Sequence, residues 1–422
     1  MTAPVGAEPS EGALRRTFSS LAVRNFRLFL GGQLLSATGT WMQAVAAPLL
    51  VLRLTGSGTA LGVDASLQFL PILLFGAWGG VFADRFDNRR LQILTQFAYA
   101  GVAFALWAVV ATGVVRVWMV YGLSFASGIV AAVDMPTRQS FYLDMVGRGS
   151  LTNAMSLNTA TFTGARILGS AVAGVLIAAV GWSPVFLVNA VSYLAVVGAL
   201  VAMRPSELHP RPHVPRERGQ IRRGVEYVAR TPELRLPLAT MLVVFLFSFN
   251  FQVLVPLLVE RTFGAGAGAL GAILSLLGVG SLAGALGMAS RATRPNPRRL
   301  AALGVALGVM SALLGVAPTL WVAGAVAIPL GAAFVSFAIT GNSTLQLTAS
   351  PSMRGRVMAL YTVAFLGSTP IGGPIAGWVG EHLGARFALL AGGCIAVAAG
   401  AAAAVALARR RAPSVGGAPE AS

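Results

Sequence analysis

Apolar runs of about twenty residues recur along this chain from one end to the other, separated by short polar connections. A helix of that length spans about 30 Å, the thickness of the hydrocarbon layer of a bilayer. Only 11% of the residues are charged and 56% are hydrophobic, whereas an ordinary soluble domain is roughly 25% charged. A water-soluble fold could not hide so much apolar surface. In lipid the problem disappears, because apolar side chains can face outward. The glycines fit the same reading. There are 50 of them, and many sit inside the apolar runs, as at Gly278, Gly280, Gly284 and Gly287, where small residues let membrane helices approach closely.

Twelve spans are expected, at 26–54, 60–83, 91–114, 118–133, 153–180 and 184–203, then at 236–259, 267–289, 300–316, 320–340, 357–379 and 385–407. With the N-terminus inside, the inner connections hold 26 arginines and the outer ones 4, with Arg166 left within a span. That bias places both termini in the cytoplasm of a multi-pass cell-membrane protein. It also explains the net charge of +17 as a basic stripe along one membrane face, without nucleic acid as a partner.

The chain also repeats itself. Residues 155–174 (MSLNTATFTGARILGSAVAG) align without gaps on 358–377 (MALYTVAFLGSTPIGGPIAG), with eight identities that include Gly164/Gly367 and Gly169/Gly372. These are the fifth spans of two halves. The expected organisation is a disordered tail over 1–24, a six-helix half over 25–203, a linker over 204–235, a second six-helix half over 236–408, and a tail over 409–422. Parallel six-helix repeats around a midplane site are a transporter plan. The linker ends in QIRRGVEYVARTPELR, whose Ile221, Val225 and Val228 share one helical face, as in a helix lying along the membrane interface.

Several chemistries are excluded or unsupported. The chain has no lysine, so it carries no Walker A loop. Cys394 is alone, reads as a small buried hydrophobe, and permits no internal disulfide. His209, His213 and His382 have no metal-ligand spacing. No metal, cofactor or catalytic residue is expected, and a membrane enzyme finds no support in any span.

After the second span comes Gly80-Val-Phe-Ala-Asp84-Arg85-Phe-Asp87-Asn-Arg89-Arg90. It resembles the G-x-x-x-D-R-x-G-R-[RK] loop of the major facilitator superfamily, with Asp87 where that family usually has Gly. The stretches 24–56 (RNFRLFLGGQLLSATGTWMQAVAAPLLVLRLTG), 136–140 (PTRQS), 153–169 and 352–361 (SMRGRVMALY) resemble its enterobactin-exporter and macrolide-efflux branch. The resemblance covers nearly the whole chain. It implies an all-α major facilitator fold and export of small hydrophobic or amphiphilic molecules, drug-like or siderophore-like, by alternating access, with proton exchange as the drive. It also implies a monomer in the bilayer whose partners are a small-molecule substrate and protons. The loop motif (Gly80, Asp84, Arg85, Arg89 and Arg90) implies gating: Asp84 would meet the start of the eleventh span when the cytoplasmic side closes, drawn by unpaired amides and the helix dipole.

The candidate coupling and substrate residues follow. Arg166 sits mid-span, where a charge is costly and is either functional or paired. Asp64 lies about a turn inside the outer end of span two and is either a protonatable acid or solvated at the rim. Asp134, at the inner end of span four, is a coupling acid or a helix-end charge. The first and fourth spans of each half should line the cavity, offering Gln33, Trp41, Gln43, Asn250, Gln252, Asn342 and Gln346, although each polar residue taken alone reads first as an interhelical hydrogen bond. Two positions depart from many proton-coupled antiporters: Ser124 stands where they carry Arg, and Gly169-Ser170 where they carry Gly-Pro. An uncoupled or importing carrier of the same fold remains the alternative, as does a sensor built on the scaffold.

Overall fold

The computed structural model describes residues 18–209, 220–290 and 296–409. The expectations for the two tails and for His213 fall largely outside them. The described residues are helical throughout, and 11 helices are long and apolar enough to cross a membrane. In chain order the helices are α1 (Arg24–Thr55), α2 (Gly58–Arg85), α3 (Asn88–Ala111), α4 (Val117–Gly147), α5 (Gly149–Val180) and α6 (Ser183–Val201). Then come α7 (Gln220–Arg230), α8 (Pro232–Ser248), α9 (Phe251–Leu257), α10 (Ala267–Ser290), α11 (Pro297–Gly315), α12 (Leu320–Thr348), α13 (Arg354–Leu366), α14 (Ser368–His382) and α15 (Ala385–Arg409). Large apolar side chains such as Trp78, Trp118, Trp321 and Leu94 stand exposed on the surface, as a lipid solvent allows. Cys394 is exposed as well. The expectation that it is buried fails because an outward-facing helix surface in a membrane protein is itself apolar.

The expected eleventh span is divided in the structure. Gly367 interrupts it between α13 and α14, because Pro370 has no N–H to offer the carbonyl of residue 366. The seventh span breaks too, at Phe249 and Asn250, with Asn250 at φ −85° and ψ 40°. The fourth span runs on well beyond the expected 133, to Gly147, whose φ of 69° suits a residue without Cβ and separates α4 from α5.

The chain forms two compact units, Met1–Arg216 with Gly264–Gly278, and Glu217–Phe263 with Val279–Ser422. In the first, α5 and α6 pack on α1, α4 on α2, and α6 on α3. An aromatic core of Phe26, Phe29, Phe141 and Tyr142 ties α1 to α4 at the arginine-rich end. In the second, α15 packs on α8 and α11, and α12 on α11. The linker helix α7 belongs to this unit and packs on α8 and α13, with the Tyr227 hydroxyl accepting from the Ser350 amide at 3.3 Å.

Where helices cross closest, a glycine stands against a backbone carbonyl. A Cβ on Gly79 would overlap the Ala132 carbonyl, and one on Gly169 would overlap that of Thr38. In the second unit the same holds for Gly280 against Ile328 and Gly372 against Leu246. Gly76, one turn before Gly79, faces open space. Gly79→Val should therefore destabilise the protein by about 1–3 kcal/mol, the usual cost of overpacking, seen as a lower unfolding midpoint in detergent. Gly76→Val should leave that midpoint within experimental error.

Candidate functional site

The polar groups of the first unit converge on one carboxylate. Asp134 is not a helix-end charge; it lies well inside α4 and is 2% exposed. Its Oδ1 accepts from Gln92 Nε2 at 3.1 Å and from Gln96 Nε2 at 3.0 Å. Thr95 Oγ1 lies 2.9 Å from the same oxygen and 3.0 Å from the Gln92 carbonyl, so its single hydrogen serves one acceptor at a time. The other carboxylate oxygen faces Arg138, one turn on, at 3.5 Å. Arg138 in turn donates to Gln33 Oε1 at 3.3 Å and lies over the Phe162 ring at 5.0 Å. One acid thus joins α3, α4, α1 and α5. Gln92, Gln96 and Arg138 present only donors to it and Thr95 can add another, the arrangement that a buried carboxylate requires.

Asp64 has a different environment. It is 8% exposed and receives one hydrogen bond, from Ser124 Oγ at 2.7 Å. It is therefore buried within the bundle, and not solvated at a rim. Ser124 is the residue that stands in place of an antiporter arginine, so a neutral hydroxyl here meets the acid.

Arg166 has no ion pair and no hydrogen bond among the described residues. Its Nε is buried without a partner, and its guanidinium lies 5.0 Å from the centroid of the Trp41 ring. Gly169, one turn later on α5, allows the approach. A Cβ there would stand 2.8 Å from Trp41 Cβ and would strike the α1 backbone.

The remaining candidates separate. Gln33 and Gln43 serve as bonds between helices, the latter accepting from Asn189 Nδ2 at 2.7 Å. Asn250 is buried and donates to the Leu246 carbonyl at 2.7 Å, beside the break in the seventh span. Gln346 donates to Asn342 at 2.8 Å, one turn away on α12, and Gln252 is exposed. Around the same break, Phe249 stacks on Phe334 at 4.4 Å and on Phe365 at 5.3 Å, an aromatic cluster that sequence reasoning did not single out.

In the loop motif, Gly80 is buried, while Asp84, Arg85 and Arg90 are exposed. Arg89 caps the end of α6, with Nε on the Leu200 carbonyl at 2.8 Å and the guanidinium reaching that of Val201 at 3.4 Å, as a cation at a helix C-terminus does. Asp87 is the N-cap of α3, accepting from the Arg90 amide at 2.7 Å. Its departure from the usual glycine thus supplies an acceptor that glycine lacks. Asn88 donates to Asp144 at 2.6 Å, tying the loop to α4.

Gln92, Thr95, Gln96, Ser124 and Arg138 were not among the sequence candidates. The first three, with Tyr99, fall at i, i+3, i+4 and i+7 of an apolar span, and that stripe was the available signal.

Comparison with known proteins agrees with this architecture. The profile of the family described as transmembrane secretion effectors matches residues 15–418. The multidrug efflux pump Tap of Mycobacterium tuberculosis is 28% identical over 371 residues, covering 84% of this chain and 88% of that protein. The staphyloferrin A transporter of Staphylococcus aureus is 24% identical over 263 residues, 61% of this chain and 64% of its own length. Among solved structures, a bacterial homologue of the human lysosomal transporter Spinster superposes with a TM-score of 0.71 at 14% identity, over 97% of this chain and 100% of that one, a likeness of fold.

Removing the acid from the Asp134 cluster takes the acceptor from a half-buried guanidinium and from two buried amides. Asp134→Ala should therefore cost about 3–5 kcal/mol, measured as a lower unfolding midpoint. The double variant Asp134→Ala with Arg138→Met should recover part of that loss, since it removes the stranded charge.

Proposed function

The chain belongs to the transmembrane secretion effector family of major facilitator superfamily transporters, and from that premise we propose that it exports small hydrophobic or amphiphilic molecules by alternating access, driven by proton exchange at Asp64. The family match, together with efflux-type relatives along most of the chain, carries the export reading. Substrates are drug-like or siderophore-like, in keeping with the names of those relatives.

The twelve-span plan rests on counting α13 and α14 as one interrupted crossing, beside 11 stretches long and apolar enough to cross, the seventh of which carries the break at Phe249 and Asn250. Two six-helix repeats are supported by the matched close approaches. Gly169 and Gly372, aligned in the sequence repeat, each stand against the first helix of their half, and Gly79 and Gly280 each stand against the fourth. The arginine bias puts both termini in the cytoplasm of a cell-membrane protein, and the protein works as a monomer.

Two of the buried acids, Asp64 and Asp134, divide the labour. Asp134 is held by donors on every side and braces the bundle. Asp64 accepts from a single hydroxyl, so its protonation breaks no ion pair and demands only that Ser124 reorient. A proton can therefore come and go there at the least structural cost, which is what a coupling acid needs. Asp84 and the arginines of its loop act on the cytoplasmic gate, with Arg89 and Asp87 holding the loop in shape.

Everted vesicles with an acidified interior test this. A panel of lipophilic cations, macrolides and siderophores should produce compound uptake with coupled proton release in vesicles containing the intact protein, and none in empty ones. Asp64→Asn should abolish the proton release. Asp84→Asn should slow uptake several-fold without loss of folded protein. Uptake without proton movement in the intact protein would convert the reading to an uncoupled carrier.

A further inference from the structure

Resting on that export reading, we propose that Arg166 and Trp41 form the subsite for an anionic group on the substrate, so that the molecules carried include amphiphiles with a carboxylate beside an apolar or aromatic body.

Arg166 lies near the middle of α5, far from either interface, where a guanidinium is expensive and persists only with compensation. The same unit shows how this chain compensates a half-buried arginine. Arg138 has the Asp134 carboxylate, the Gln33 carbonyl and the Phe162 ring. Arg166 has a ring alone. No carboxylate pairs with it among the described residues, and no hydrogen bond satisfies it. The three acids buried in the helices of this unit are engaged elsewhere, Asp64 with Ser124, Asp134 with its four partners and Asp144 with Asn88.

The ring is an attractive neighbour for a cation, but it returns no charge and accepts no in-plane hydrogen bond. It supplies no acceptor to the N–H edge, whose Nε is buried without a partner. That edge is a planar fork matched to a carboxylate, which it can hold through two parallel bonds. The geometry is built into the fold. Gly169 brings α5 against the α1 backbone at Thr38 and beside Trp41, and α5 is held on its other side by Ser275 Oγ donating to the Ile167 carbonyl at 2.9 Å. A ligand that supplies an anion to the edge and an apolar body to the surrounding side chains would complete what the protein leaves unfinished. A cationic ligand would find repulsion there.

The test compares two ligands of one shape and different charge. The full-length protein in zwitterionic nanodiscs is titrated with 2-naphthoate and with neutral 2-naphthamide, empty nanodiscs serving as the blank. The acid should bind about tenfold or more tighter than the amide, the ratio expected when a hydrogen bond to a charged group is gained. Arg166→Gln should bring the two to parity, and Arg166→Lys should keep part of the preference while losing the bidentate fork. Equal binding of acid and amide by the unaltered protein would overturn the proposal without any variant, as would a preference that survives in Arg166→Gln. Uptake of neutral macrolides into everted vesicles is followed in parallel. Macrolide uptake with acid–amide parity leaves export standing and removes the subsite. A preference for the acid that depends on Arg166, with no uptake of any compound, leaves the subsite standing and removes export.

Discussion

In hydrocarbon, an apolar side chain gains almost nothing by exchanging lipid for another apolar side chain, so the hydrophobic effect cannot choose which helix lies beside which. That choice falls to close backbone approach and to the few polar groups the lipid will not accept. The close approaches of this protein follow that constraint. Glycines on α2, α5, α10 and α14 sit against carbonyls of the helices they cross, and each crossing brings many atoms within dispersion range because no side chain intervenes. Polar groups then set the register. Asp134 binds to a stripe on α3, Asn189 to Gln43, and Ser248 to the Gly392 carbonyl at 2.6 Å. A one-residue rotation of any of these helices would turn its polar atoms toward lipid.

The same constraint explains which features were legible in the sequence. Span length and arginine bias are properties of the chain against its solvent and need no tertiary information, so eleven crossings appear where long apolar runs predict them. The eleventh expected span misled only in its continuity. Its composition is apolar throughout, but Pro370 and Gly367 divide it, and the break is a matter of one missing donor. The fourth span was underestimated for the opposite reason. Asp134, Thr137 and Arg138 look like a polar exit from the membrane, yet the helix continues to Gly147 because Asp134 finds partners on α3, Arg138 finds one on α1, and Thr137 donates to the Val133 carbonyl of its own helix.

Site residues were harder to read, since a buried polar group in a sequence does not declare what it faces. Gln33, Gln43 and Asn342 look like cavity liners and turn out to bond to neighbouring side chains. Asp64 and Ser124 are 60 residues apart and meet only because Gly79 and Gly128 let α2 and α4 run side by side. The stripe of Gln92, Thr95, Gln96 and Tyr99 was visible as a helical pattern. An apolar span with four polar residues on one face has to turn that face inward, and an inward polar face in lipid demands an ionic or polar partner. Asp134 and Arg138, on the adjoining helix, are the residues that meet that demand.

Three ionisable residues buried in one unit therefore have three separate physical situations. Asp134 is surrounded by donors, and disturbing it disturbs the bundle. Asp64 has one neutral partner, which leaves it free to change its proton without breaking an ion pair. Arg166 has the Trp41 ring and a buried Nε without a partner, the donor that the proposed substrate anion would satisfy. A carrier that exchanges protons for an amphiphile needs one group of each kind: a charge that never moves to hold the helices, an acid whose proton can be exchanged, and a polar group left unsatisfied until substrate binds. Had Asp64 stood in the donor cage and Asp134 beside a lone serine, the loss of a proton would act on the helix contacts themselves, and coupling would be inseparable from unfolding. With Asp64 at the α2–α4 crossing and the braced Asp134 between α3 and α4, the proposed proton exchange and the helix contacts fall on different groups.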